Sequence, residues 1–440
     1  MGNGLSTTMD RMAVRAEHVT AYHWMVVLIA SAGWMFDCMD QRLFVLAREA
    51  ATRDLLGLEG GLSAEVTRFG GYATTSMILG WATGGIIFGI LSDRIGRVKT
   101  MALTLIVYSG FTGLSGLAES WRTFVLMRFL AGIGIGGMFG AATTLVAESV
   151  PSRIRVIALG ALQALSALGN ILGSLISLWI QPGSEAWGYP GWRLLFFVGI
   201  LPALLIVPLV TLLREPQAWL DARASALRSP KAHSTGSLME IASDVRWRRH
   251  AFVGLALGFA GMTGLWGIGF FSPELISTAL SGESQAVIDR VRAWGTALQD
   301  VGAFAGMWAF TMAAALVSRR VAFLGSLLLS MCATIFVFAS LQTAAHAYWM
   351  LPLMGFAQLS VFAGYAIYFP ELFPTRLRGT GVGLCYNTVR YLAAPTPLVL
   401  GYLSTILSFR SAAIVMSSVY LVGILALLWA PETKGRELPQ

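Results

Sequence analysis

Charge is scarce in this chain. Of 440 residues only 12% are Asp, Glu, Lys or Arg, against 56% hydrophobic, where an ordinary soluble chain carries about 25% charge. With a mean hydropathy of +0.68, there is too little polar surface to cover a water-soluble particle of this size, and the solvent that fits is a bilayer. Cysteine is scarcer still. Cys38, Cys332 and Cys385 are scattered through apolar stretches, which excludes a disulfide framework and a cysteine metal site. The histidines (His18, His23, His233, His250 and His346) show no ligand spacing, so no metal or cofactor is expected. The phosphate loop G-x-x-x-x-G-K-[ST] is missing, as are H-E-x-x-H and any nucleophile–base signature. Neither ATP-driven work nor enzyme chemistry is therefore expected.

Long apolar runs are abundant instead. Helices are predicted over 23–47, 70–91, 101–118, 122–147, 154–180, 192–213, 250–278, 295–318, 320–342, 347–370, 379–404 and 408–430. Most reach the ~20 residues that span a ~30 Å hydrocarbon core. Residues 1–22 are polar and the first run is of full length, so it is expected to be retained rather than cleaved as a leader. The polar stretch 214–249, with Pro216, Pro230 and both charge signs, reads as a cytoplasmic linker between two bundles, 1–213 and 250–440. The fold class expected is an all-α membrane protein of 12 transmembrane helices in two six-helix bundles.

The formal charge of +8 follows topology. With both termini in the cytoplasm, the inside segments hold about 20 Lys/Arg and the outside ones about 8, the asymmetry of a multi-pass cell-membrane protein. No basic face is interleaved with stacking aromatics, so no nucleic-acid partner is expected. The halves also repeat a signature. After helix 4 the chain reads Glu148-Ser-Val-Pro151-Ser-Arg153-Ile-Arg155, and after helix 10 it reads Glu371-Leu-Phe-Pro374-Thr-Arg376-Leu-Arg378. A parallel repeat places a substrate path between the halves, near the midplane. Gly80/Gly84, Gly85/Gly89, Gly132/Gly136, Gly169/Gly173, Gly254/Gly258 and Gly302/Gly306 fit small-x-x-x-small helix packing.

These residues resemble the major facilitator superfamily. Residues 89–99, GILSDRIGRVK, look like its loop motif G-x-L-x-D-R-x-G-R-[KR], and Arg128 with the glycines 132–137 looks like its helix 4 motif. The resemblance implies a transporter that works by alternating access, with a latch on the loop motif. Gly89 would let helices 2 and 11 approach closely, and Asp93 would face the N-terminus of helix 11. Arg94 and Arg97 would bridge to carboxylates. Glu148, Arg153, Glu371 and Arg376 of the repeated signature are candidate members of the same gate. The second half reads Val317-Ser-Arg319-Arg320-Val where a matching loop motif would stand, without the aspartate and glycine, so a symmetric pair of locks is not expected. The tail Pro431-Glu-Thr-Lys-Gly435 is similar to the ending of sugar porters.

Intramembrane charges are costly and mark functional sites. Asp37 and Asp40 share a face of helix 1, about 20 and 24 Å from Trp24 at ~1.5 Å per residue. Arg128 on helix 4 reaches a similar depth, so an Asp37 or Asp40 pair with Arg128 is the expected proton-coupling unit. The Asp-x-x-Asp spacing resembles the helix 1 signature of organic-acid proton symporters, with Cys38 where that signature carries glycine. On helix 11, Tyr386, Asn387 and Arg390 lie on one face. Arg390 is too deep to snorkel and needs a partner, which a substrate carboxylate would supply through a bidentate fork; Glu371, Glu274 and Asp300 are internal alternatives. Gln163 and Asn170 on helix 5, Gln358 and Tyr365 on helix 10, and Trp266 on helix 7 are further candidate ligand contacts. Pro273 on helix 7 is expected to mark a bend.

The function expected is proton-coupled symport of a small organic anion. The alternatives are a sugar or polyol porter, a drug–proton antiporter and, from another class, a membrane sensor without transport. The partners expected are a small-molecule substrate, protons and the bilayer, with the chain working as a monomer.

Overall fold

Inside a bilayer each backbone N–H must find its acceptor within the protein, so apolar runs of this length fold as helices. A computed structural model describes residues 18–58, 64–228 and 235–439. Six helices form the first half: α1 (Ala21–Leu56), α2 (Ala64–Ile95), α3 (Arg97–Ser115), α4 (Trp121–Ser149), α5 (Ser152–Trp179) and α6 (Gly191–Leu212). The second half follows: α7 (Val245–Ala279), α8 (Gln285–Leu316), α9 (Arg319–Ser340), α10 (Ala344–Leu372), α11 (378–406) and α12 (Phe409–Ala426). The short helices Gln217–Arg228 and Leu238–Ser243 lie between the halves. Among the described residues, eight helices are long and apolar enough to cross a membrane. The other four, α1, α3, α8 and α11, dilute their apolar runs with charge or a break in the helix.

Several boundaries differ from expectation for one reason. Helix α1 runs to Leu56 and α8 starts at Gln285, each with a polar end that hydropathy reads as loop. Among the described residues α6 is interrupted by a 3-10 stretch (Leu201–Leu205) and α12 by a turn at residues 417–418, and two further helices depart more strongly from regular geometry. In α7 a π-helical stretch (Thr263–Ile268) and a 3-10 turn (Gly269–Phe271) precede Ser272–Ala279, and Pro273 sits in the first turn of that last segment. The break therefore lies before the proline, where its missing N–H costs nothing. In α11 a π-helical stretch occupies Leu384–Thr388. Such widened turns recur at functional sites.

Glycines set the packing. A Cβ at Gly80, Gly84, Gly132 or Gly136 would come within about 2.3 Å of a backbone oxygen across the α2–α4 contact, so those backbones touch directly. The same holds for Gly169 between α5 and α1, and for Gly302 and Gly306 between α8 and α10. The halves meet through α2 against α11, α5 against α8 and α10, and α4 against α10 and α11. Below, the near face is the one carrying residues 18 and 439, and the far face is the opposite one.

Candidate functional site

The loop motif builds the near face. Gly96 has φ +114, a conformation only glycine adopts without strain, and it turns the chain so that the Arg97 N–H meets Glu215 Oε2 at 2.6 Å. The Arg97 side chain is fully buried. Its Nε and Nη2 both donate to Glu148 at 3.0 Å, and Nη1 donates to the Ser92 carbonyl. Asp93 accepts from the N–H groups of Gly379 (3.0 Å) and Thr380 (2.8 Å) and from the Thr380 hydroxyl. An anion thus faces the start of α11, where free N–H groups favour it. Gly89 makes this approach possible, since a Cβ there would lie 2.8 Å from the Gly379 oxygen.

Other gate candidates fall elsewhere. Arg378, not Arg376, crosses from the second half to Glu148 (2.5 Å), and its Nε returns to the Pro370 carbonyl. Pro374 ends α10, and Arg378 opens α11, which points it back beneath the first half. Arg376 instead pairs with Glu240 of the helix between the halves. Arg94 and Arg153 are exposed and have no ion pair among the described residues. Glu371 is held by Arg319 through Nε (3.2 Å) and Nη2 (2.8 Å), with Arg319 Nη1 on the Ala314 carbonyl. Glu432 accepts from the N–H groups of Arg319 and Arg320. This parallels the Arg97–Glu148–Glu215 arrangement within the second half, but Arg97 Nη2 also donates to the Thr375 carbonyl across the halves, a bond Arg319 does not match among the described residues. The counterparts of Asp93 and Gly96 are missing, because Ala315 and Ser318 stand there. The signal was present in the repeat as Arg378, and in Glu215 and Glu432, each followed or preceded by proline.

The centre is aromatic. Phe139 of α4 stacks on Tyr386 of α11 at 3.7 Å, and Trp34 of α1 packs against both at 5.1 and 6.2 Å. Arg390 lies 3.9 Å over the Trp81 ring and 4.7 Å from that of Tyr386. Its Nη1 donates to the Tyr386 carbonyl and to Asn387 Oδ1, while Nε has no partner. Asn387 reaches across to the Gly136 carbonyl. Of the acids weighed for Arg390, Glu371 is taken by Arg319, and Asp300 is taken by Arg42 (2.8 Å) in an ion pair that joins the halves toward the far face. Trp34 and Phe139 were missed by sequence reasoning, because their apolar neighbours give no periodic cue.

The helix 1 acids differ in one bond. Asp40 Oδ2 accepts from Thr112 at 3.0 Å, whereas Oδ1 of both Asp37 and Asp40 has no partner; both residues are fully buried. Arg128 forms no ion pair with either among the described residues. It donates to Ser115 Oγ (2.9 and 2.7 Å) and the Phe111 carbonyl, and lies 4.7 Å from the Phe196 ring. Serine and carbonyl oxygens in the first half therefore hold it beside Asp40, at electrostatic rather than bonding range. Gln163 donates weakly to Ser166, and Asn170 is half-buried. Gln358 bonds Thr334 of α9, Tyr365 donates to the Leu257 carbonyl of α7, and Trp266 stacks on Phe270. Gln358 and Tyr365 thus tie second-half helices together.

Residues 35–396 match the model of the Major Facilitator Superfamily. The chain belongs to this superfamily. It is 30% identical over 359 residues to the cis,cis-muconate transport protein of Acinetobacter baylyi, covering 81% of this chain and 83% of that one. It is 28% identical over 414 residues to the probable 4-methylmuconolactone transporter of Cupriavidus pinatubonensis (92% and 89%). Among solved major facilitator structures, the proton:xylose symporter XylE superposes with a TM-score of 0.77 at 18% identity, covering 95% of this chain and 98% of that one. That likeness establishes the fold. The chain is a multi-pass membrane transporter of a small molecule.

Proposed function

We propose that the chain is a proton-coupled symporter of a small organic carboxylate, with Arg390 as the anion site and a proton site on α1. The observation that carries this reading is Arg390 itself. It is buried between the halves, bonded only to neutral oxygens, faced by aromatic rings, and left with Nε free. A buried guanidinium without a bonded carboxylate is costly, and a substrate carboxylate would complete it. The flat walls of Trp34, Trp81, Phe139 and Tyr386 fit an unsaturated or aromatic acid, and the relatives named for muconate and methylmuconolactone support the same class.

The sugar-porter alternative draws less support. Glu432 of the tail motif caps α9, a role that does not depend on substrate, and Gln358 faces its own half. In the proposed topology the near face is cytoplasmic, the membrane is the cell membrane, and 214–249 links the bundles 1–213 and 250–440 in a functional monomer. Asp93, Arg97, Glu148 and Gly89 form the inner gate, supported by Glu371. The test is transport in proteoliposomes with a trapped pH dye, offering benzoate, cis,cis-muconate and xylose in turn, with empty liposomes as the control for passive acid entry. Acidification with a carboxylate is the expected result. Flux of xylose without proton movement would overturn the reading.

A further inference from the structure

The two acids of α1 stand in different surroundings, although they are one helical turn apart. Asp40 is enclosed by its own half. Its hydrogen bond comes from Thr112 of α3, its charged neighbour is Arg128 of α4, and a Cβ at Gly199 in α6 would meet its Oδ1 at 2.7 Å. Nothing from the second half is among these neighbours.

Asp37 faces the second half. Helices α1 and α11 both run from the near face to the far face, and Trp34 of α1 touches Tyr386 of α11. One turn further along each helix stand Asp37 and Arg390. Both are buried, at 1% and 4% exposure, and each keeps an unpartnered atom, Asp37 Oδ1 and Arg390 Nε. Among the described residues, the titratable and charged groups within electrostatic reach of Asp37 are Asp40 and Cys38 on α1, Tyr108 on α3, and Tyr386 and Arg390 on α11. Arg390 is the one cation among them, since Arg42 is held by Asp300.

We propose that Asp37 and the substrate carboxylate compete for Arg390, while Asp40 is a positioning residue that balances the charge of Arg128 within the first half. This rests on the carboxylate reading above. In the empty carrier, ionised Asp37 faces Arg390. A substrate carboxylate takes Arg390 when Asp37 takes one proton from the far side. On the near side the carboxylate leaves, Asp37 releases its proton, and the facing pair reforms. The site carries zero net charge in both forms, so uptake of a monocarboxylate moves one proton and no net charge.

The experiment uses the full chain in proteoliposomes, with benzoate as the probe. Absence of benzoate counterflow in the unaltered protein would overturn the carboxylate reading itself. Where counterflow is present, benzoate affinity is expected to weaken by about tenfold per pH unit above the titration of Asp37, as one linked proton requires. Asp37→Asn is expected to bind benzoate tightly at all pH values, to retain counterflow and to lose proton-driven accumulation. Asp40→Asn is expected to keep the pH dependence and to melt at lower temperature. A pH-dependent Asp37→Asn, or a pH-flat Asp40→Asn, would overturn the division of roles. A second measurement needs no variant: a potassium-diffusion potential imposed without a pH gradient should not drive benzoate uptake, and uptake driven by it would also overturn the proposal.

Discussion

The two halves carry the same arginine–glutamate clamp and differ in how they use it. In the first half, Arg97 grips Glu148 at the foot of α4, Glu215 caps α3, and Asp93 reaches over to α11. In the second, Arg319 grips Glu371 at the foot of α10, Glu432 caps α9, and Ala315 leaves α5 without a reaching carboxylate. Arg378 adds to the asymmetry by crossing to Glu148. The clamp within each half is therefore duplicated, while the near-face tie between halves gathers on the first-half clamp. Anchoring a helix within one half and tying the two halves together are separable jobs, and one loop motif performs both only where it keeps its aspartate.

The largest effect is expected at Glu148, where arginines from both halves converge. Glu148→Gln leaves Arg97 and Arg378 buried without their carboxylate. Breaking such a buried pair costs about 3–5 kcal/mol, so a large fall in melting temperature in detergent and loss of counterflow are expected. A variant that melts and transports like the parent would remove the first-half clamp from the comparison.

Arg97→Gln and Arg319→Gln split the two jobs. Both should destabilise, by about 3 kcal/mol each. Hydrogen exchange at the Gly379 and Thr380 amides, which Asp93 holds, should quicken in Arg97→Gln alone, since Arg97 also lies 3.2 Å from Asp93. Equal exchange in both variants would mean that the halves are coupled as strongly through Arg319.

Glu432 gives a smaller, pH-dependent effect. Partial burial pushes its carboxyl up, but N–H groups of Lys434, Arg319 and Arg320 and the Ser318 hydroxyl outweigh this and hold it below the usual range. A carboxyl depressed on folding stabilises fully above its unfolded value of about 4.3 and loses that contribution as pH falls through the folded value. Glu432→Gln should therefore lower the melting temperature at neutral pH and narrow the gap from the parent in acid below about pH 4. A gap that stays constant with pH would assign the loss to packing.

The smallest effect sharpens the asymmetry directly. Ala315→Asp supplies an acid one turn beyond Thr311, the residue that packs against Gly160 of α5. A carboxylate near a helix N-terminus contributes about 0.3–1 kcal/mol, so a small rise in melting temperature with slower counterflow is expected. Faster transport would show that the missing acid does not set the ease of opening.

Much of the architecture was legible because the bilayer enforces it. Runs of apolar residues, arginine placement and the repeated E-x-x-P-[ST]-R-[IL]-R determined helix number and two-fold repetition, since lipid admits only helices and closed barrels, and apolar runs of ~20 residues fit helices. The Asp93 tie was legible too, because the motif fixes it to a helix start at a known place in the repeat. Partner choice among buried charges was not. Asp300 and Glu371 are equally acidic as letters, and only the packed helices assign Asp300 to Arg42 and Glu371 to Arg319. Nor could hydropathy foresee the polar ends of α1 and α8 or the π-helical turns of α7 and α11. Periodicity along one helix reports which face is buried. Which neighbour that face meets, at what height, depends on backbone approach at glycines such as Gly89 and Gly136, and that is decided only when helices from distant parts of the chain are brought together.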